Sequence, residues 1–503
     1  MGMAQKIALA ACMLFGLGPA AWADDAAPIV QPYSENPHYL AWNNTPIIAL
    51  GATGYHSWTP ISRPETLDFE QQLGRLARVI EEIDSPHIHG FVRCLPYDPM
   101  NHLHDGEVER VLQPWVKTAD GRYDLTQFSA EWEERLRAYL QTAFDHQLVV
   151  SLEVWDDWSI TRGPNGAYNP EGAAWNAHPF NPQNNINYDA NVLPASTSRC
   201  NAPFYRTIPS REHNQTVLAL QKHYVKHLLS IAGDYPNIII NIANESRAHL
   251  DWSRFWAAYI DAQQSVDRMI GEMPSTNRQD GGGECEHALN PFTLATDPGY
   301  DFVDIAQAVS GHEFQSPFEQ AFKGGRRILQ YRHAMAEAGT QRPLLTSKDY
   351  TRSSNGGTLV FWGRIMGGLS AARFHRLAGD HPASVSDFQH ETVARVGRFF
   401  ADIPFWRMQP KPDLAAPLPE GAGVNALVEA GQRAVVQVAG AAEHPTPSTL
   451  HLNIAPGNWA VRMIDPQTGE ELRQFTAPAK EDGLQLTIDE EINHVVLDLE
   501  RQS

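Results

Sequence analysis

The acids, amides and cations that could act on a ligand sit where apolar runs stop. Pro236-Asn-Ile-Ile-Ile-Asn-Ile-Ala-Asn244 is rich in β-branched residues and passes directly into Glu245-Ser246. A carboxylate beside an amide at such a place could move a proton and accept hydrogen bonds from hydroxyls. An isolated Asn-Glu can equally cap a helix or meet a cation such as Arg247, so its meaning depends on its surroundings. A second acid, Asp349, follows the apolar residues 342–346 in the order Ser347-Lys348-Asp349-Tyr350. Two carboxyls brought together could divide the work, one protonated and donating, the other ionised. Lys348 beside Asp349 would favour its ionised form, as an attacking group requires.

Asp234-Tyr-Pro236 is a turn signal, and the run after it has the length and composition of a parallel strand covered on both faces. The same unit recurs along the chain. Residues 46–53 read as a strand running into Tyr55-His56-Ser57-Trp58, and Phe69, Leu73, Leu76, Ile80 and Ile83 then mark a helix face. Residues 87–94 form the next strand, ending in Arg93, before a helix carrying Trp132, Leu136, Leu140 and Phe144. A third strand, 148–155, ends at Trp155-Asp156-Asp157, and the helix bearing Val217, Leu220, Tyr224, Leu228 and Ile231 precedes the Glu245 strand. Four further strands are expected at 269–273, 302–309, 342–346 and 370–374, with helices at 318–338 and 359–367. Eight strand-helix units predict an α/β fold, a closed (β/α)8 TIM barrel, whose chemistry belongs at the carboxyl ends of the strands. A doubly wound sheet would want Gly-x-Gly-x-x-Gly after the first strand, and none is present.

Those ends collect His56, Trp58, Arg93, Trp155, Asp156, Asn244, Glu245, His312, Glu313, Lys348 and Asp349. Indole faces stack on the C–H faces of sugars, while carboxylates and amides bind hydroxyls, so this mixture suits a polyhydroxylated ligand. A phosphate site would need a glycine-rich loop and a basic cluster instead. His87 and His89 lie inside a strand and read as core residues, and His102 and His104 with Asp98 and Asp105 read as a polar loop. With no Cys-x-x-Cys or His-Glu-x-x-His spacing, no metal site and no cofactor are expected. Residues 160–212 form a long Asn-, Pro- and Gly-rich insertion containing Trp175, His178, Phe180 and Tyr188, the expected wall of a rim.

Residues 1–23 carry Lys6, an apolar stretch and Ala21-Trp22-Ala23, the pattern of an export signal cleaved near Ala23. A periplasmic or secreted protein follows, in which Cys200 and Cys285 could pair and Cys94 would lie buried at a strand end. A net charge of −20 excludes nucleic acid and anionic membranes as partners, since both need a basic face. The barrel is expected to fill residues 24–402. Beyond it, short alternating runs separated by turns such as Pro456-Gly457-Asn458 predict a small antiparallel β-sandwich over 403–503.

With Asn244-Glu245 ending the fourth strand, Arg93 the second and His312 placed after the sixth, the chain resembles the (β/α)8 glycoside hydrolases of clan GH-A. Its C-terminal region resembles the small β-sandwich that follows the barrel in exported members, including apiosidase-like enzymes. The resemblance implies hydrolysis of a poly- or oligosaccharide, with Glu245 as general acid/base, Asn244 on the sugar's 2-hydroxyl and a strand-seven carboxylate as nucleophile. Here Ser347-Lys348-Asp349 departs from the family pattern. Lys348 stands at the usual Glu position, leaving Asp349 as second carboxylate, or Glu313 in its place, or a barrel that binds carbohydrate without cleaving it.

Overall fold

The computed structural model describes residues 29–52, 61, 68–97, 112–161, 173–194, 202–275, 289–310, 314–351, 354–377, 387–416, 418–441, 446, 449–489 and 492–502. Eight parallel strands close into a barrel: β1 Thr45–Ala52, β2 Ile88–Cys94, β3 Leu148–Asp156, β4 Ile238–Asn244, β5 Ile270–Glu272, β6 Phe302–Asp304, β7 Leu344–Thr351 and β8 Ala371–Leu377. Closure comes where β8 returns to β1, with Ala371 opposite Ala49. Each strand is followed by a helix of the outer layer: α1 Phe69–Glu81, α2 Ala130–Asp145, α3 Gln215–Ala232, α4 Leu250–Gln263, α5 Pro291–Thr296, α6 Pro317–Ala338, α7 Ser354–Met366 and α8 Asp387–Phe400.

The apolar runs work on two faces at once. In β4, Ile238, Ile240 and Ile242 join the large core between strands and helices, while Ile239 joins a separate cluster in the barrel's interior. That inner cluster also takes Ala49, Phe91, Val149, Phe302, Leu345 and Ala371 from six other strands. Because strand side chains repeat every second residue, the next inward layer toward the carboxyl ends holds Gly51, Arg93, Ser151, Asn241, Asp304, Ser347 and Arg373. The barrel is therefore oily at the bottom and polar above.

A short antiparallel pair, Val30–Pro32 with Leu40–Trp42, extends from the start of β1 and packs Val30, Leu40 and Trp42 onto the inner apolar cluster. His89 stacks on Trp42 with ring centroids 4.8 Å apart, the interior role expected of it. The three-residue strands are too short to show periodicity, and the stretch has the composition of a polar leader.

Two strand ends differ from expectation. The strand predicted over 302–309 stops at Asp304, whose carboxylate accepts the backbone N–H of Ala306 at 2.9 Å and starts the helical turn Ala306–Val309. In the other direction, β7 continues to Thr351, with irregular pairing to β8 between Thr346 and Tyr350. Ser347, Lys348 and Asp349 thus lie within the strand, and the irregularity there breaks strict alternation: Ser347 and Lys348 both meet inward partners, Asp304 and Glu245, while Asp349 meets Arg364 behind the sheet.

After the barrel come a six-stranded antiparallel sheet and a three-stranded one packed around a common apolar core, consistent with a β-sandwich. The strand Glu471–Ala479, absent from the sequence reading, is the edge of the larger sheet; its mostly exposed residues and Pro478 are tolerated there. Asn425 donates to the Ala321 carbonyl of α6 at 3.1 Å and Gln437 to the Leu359 carbonyl of α7 at 3.0 Å, so the larger sheet grips the helices behind β6 and β7.

Candidate active site

The polar layer is built from opposite charges that satisfy one another. Arg93 of β2 meets Glu153 of β3 in a two-point ion pair, 2.5 Å from Nε to Oε1 and 2.6 Å from Nη2 to Oε2, with both side chains fully buried. Nη2 also donates to Asn244 Oδ1 at 2.9 Å, and Asn244 Nδ2 donates to Asp156 Oδ1 at 2.6 Å. The Asn244 amide is consequently fixed in one orientation by a cation at one end and an acceptor at the other. Burial pushes the Asp156 carboxyl up to about 7 against the opposing pull of Asn244 and Lys348. Gly51 makes room in this layer: a Cβ there would lie 2.0 Å from the Phe91 carbonyl oxygen and 3.0 Å from Arg373 Cγ.

Glu245 stands just past the end of β4 with φ +49°, a left-handed backbone that costs a non-glycine residue about 1 kcal/mol. The turn is secured by Ser246, whose N–H donates to the Met273 carbonyl at 2.8 Å. Lys348 Nζ reaches across the barrel to Glu245 Oε1 at 2.5 Å, and Gln307 Nε2 donates to the same oxygen at 3.0 Å. An ammonium in that position stabilises an ionised carboxylate. Burial lowers the Lys348 amine from its ordinary value, and the Arg93 cation adds to this, while Glu245 and Glu153 oppose it. Glu245 keeps 7% exposure, whereas Glu153, Asp156, Asp304 and Asp349 keep 1% or less.

Asp349 faces the other way. It accepts from Arg364 Nε of α7 at 2.7 Å, and that guanidinium also donates to the Gln320 and Val309 carbonyls at 2.8 and 2.6 Å. Burial raises the Asp349 carboxyl, and Arg364 pulls it back down. The structure therefore brings Glu245, Lys348, Asn244, Arg93 and Asp156 together and places Asp349 behind the strand, between barrel and helices. Lys348 pairs with Glu245 across the barrel rather than with its chain neighbour.

Trp155 is fully buried among rings, with centroids 5.1 Å from Tyr224, 5.2 Å from Phe204 and 5.7 Å from Trp256, and presents no face to a ligand. His56, Trp58, His312 and Glu313 lie outside the described residues, as do Cys200, Cys285, His102 and His104. Cys94 is a buried free thiol. Within the long insertion, His178 and Phe180 are fully buried and Tyr123 N–H donates to the Asn184 carbonyl at 2.7 Å, making 173–194 a packed wall. Among the described residues no group of His, Cys, Asp and Glu could hold a metal, and no helix is long and apolar enough to cross a membrane.

Sequence reasoning missed Glu153, Gln307 and Arg364. Glu153 left a signal, a lone charge inside the apolar run Leu148-Val-Val-Ser-Leu-Glu-Val. Gln307 was hidden in a run read as strand, and Arg364 inside a helix, where nothing local marks a partner on β7.

Glu272, at the end of β5, illustrates the electrostatic cost of this crowding. Burial raises its carboxyl to about 8, and it accepts from the Ser253 hydroxyl. A carboxyl that holds its proton in the folded state up to about pH 8, but only to about 4.3 when unfolded, favours folding below the lower value. That contribution disappears as pH rises through the interval, at roughly 1.4 kcal/mol per pH unit. Urea midpoints of Glu272→Gln should accordingly gain on the wild type from pH 5 to pH 8; a difference that stays flat with pH would show that Glu272 is ionised when folded.

No protein-family model matches the chain, and no curated protein matches it in sequence. Its fold is shared with solved structures. A protein described as a glycoside hydrolase aligns over 94% of this chain and 97% of its own, with a TM-score of 0.58 and 13% identity. A glycoside hydrolase family 5 protein from Bacteroides vulgatus aligns over 94% and 93%, with a TM-score of 0.59 and 11% identity. At such identities the likeness establishes the architecture, a (β/α)8 barrel with following antiparallel sheets.

Proposed function

We propose that the chain is an exported glycoside hydrolase with Glu245 as its reacting carboxylate, acting on a poly- or oligosaccharide at the carboxyl-terminal mouth of a barrel spanning residues 24–402. The observation that carries this reading is Glu245 itself. Among the described residues it is the strand-end acid that keeps solvent access, it stands in a left-handed backbone, and a cation and an amide converge on it. The fold it shares with glycoside hydrolases supports the reading. Glycosidic cleavage passes through an oxocarbenium-like transition state and needs one group to protonate the leaving oxygen and another to attack or direct water. Asp349 could join Glu245 only by leaving Arg364, and Glu313 is the alternative second carboxylate.

A second reading is a barrel that binds carbohydrate without cleaving it. The Lys348–Glu245 ion pair favours it, because a lysine stands where a second acid is needed. A hydrolysis screen of the mature protein on a glycan array, run beside Asp349→Asn and Glu313→Gln, separates the two. Turnover by the wild type that Asp349→Asn leaves intact supports the first reading with Asp349 as a brace. Saturable binding without turnover by any of the three proteins supports the second.

A further inference from the structure

We propose that Lys348 is the proton donor and acceptor of glycosidic cleavage, with Glu245 as the attacking carboxylate; this rests on the glycoside hydrolase reading above. The geometry shows the pair already assembled, Nζ against Oε1 at 2.5 Å at the mouth of the barrel. The other described acids of the polar layer are committed elsewhere: Glu153 to Arg93, Asp156 to Asn244, Asp304 to Ser347 and Asp349 to Arg364. A carboxylate held beside an ammonium is ionised and suited to attack, while an ammonium is a ready acid. Burial and the nearby Arg93 weaken the hold of Lys348 on its proton, the direction a proton donor working near neutrality requires. The four-carbon stem lets Nζ swing away from Oε1 as the sugar's anomeric carbon enters between them, which a shorter side chain could not do.

The steps balance. Glu245 attacks the anomeric carbon and forms a glycosyl ester as the glycosidic C–O bond breaks, and the Lys348 ammonium gives its proton to the departing oxygen. The neutral amine then takes a proton from water, whose oxygen displaces the ester. Free sugar leaves, and the carboxylate and ammonium are restored. Arg93, Glu153 and Asp156 face the pair throughout and keep their partners.

The test uses the mature full-length protein, Lys348→Met and Lys348→Arg on matched phenyl and dinitrophenyl glycosides of common neutral sugars. Arginine keeps the positive charge opposite Glu245 and hence the fold, but does not exchange its proton near neutrality. Both variants should cleave the phenyl glycosides at least about 10²-fold more slowly than wild type. With dinitrophenolate, which departs without a proton, the first step should survive and a glycosyl ester on Glu245 should accumulate, visible as added mass on that peptide. Wild-type rates for Lys348→Arg on both substrates would overturn the assignment, as would equal losses on both with no ester trapped; either leaves the hydrolase reading standing. A wild type inert toward every glycoside would overturn both.

Discussion

Glu245→Gln is expected to lower glycoside cleavage by about 10³-fold or more, because an amide can neither attack carbon nor exchange protons as a carboxylate does. The same substitution has a structural signature. Lys348, 3% exposed, loses the carboxylate 2.5 Å from its ammonium, and stranding one member of a buried pair costs about 3–5 kcal/mol. Lysine can escape part of that cost by releasing its proton. With its folded-state pKa depressed further below the unfolded value, the variant regains stability as pH rises between the two. Its deficit in denaturant midpoint should therefore be smaller at pH 9 than at pH 6. Unchanged hydrolysis in a folded Glu245→Gln protein would remove Glu245 from the chemistry.

The second large effect belongs to Arg93. Arg93→Met leaves the Glu153 carboxylate fully buried with its two-point partner gone and takes away the donor that orients Asn244. A loss of about 3–5 kcal/mol is expected, read as a fall in denaturant midpoint at constant slope. The double variant Arg93→Met with Glu153→Leu should recover most of it, because no unpaired charge remains inside the barrel. If the double variant were as unstable as the single, packing around the guanidinium would matter more than charge.

The barrel was legible because its strands are buried on both faces, so β-branched runs such as Ile238-Ile239-Ile240 stand out whatever their partners. Helices α1, α2, α3 and α6 announced themselves by apolar stripes for a similar reason. What escaped depends on contacts between elements distant in sequence. The β7 residues Lys348 and Asp349 are adjacent in the chain, yet one meets Glu245 of β4's end and the other Arg364 of α7. Reading both as rim residues followed from stopping the strand at Thr346; the strand runs on to Thr351, and a bulge that no local residue pattern marks turns Lys348 inward and Asp349 outward. Asn244 and Glu245 were visible as a motif, whereas the clamp on the Asn244 amide required knowing that β2, β3 and β4 are neighbours.

The antiparallel pair Val30–Pro32 and Leu40–Trp42 seals the lower end of the barrel against the apolar cluster of its interior. Among the described residues the axis is thus stopped at that end, and a polymer cannot be threaded along it from one end to the other.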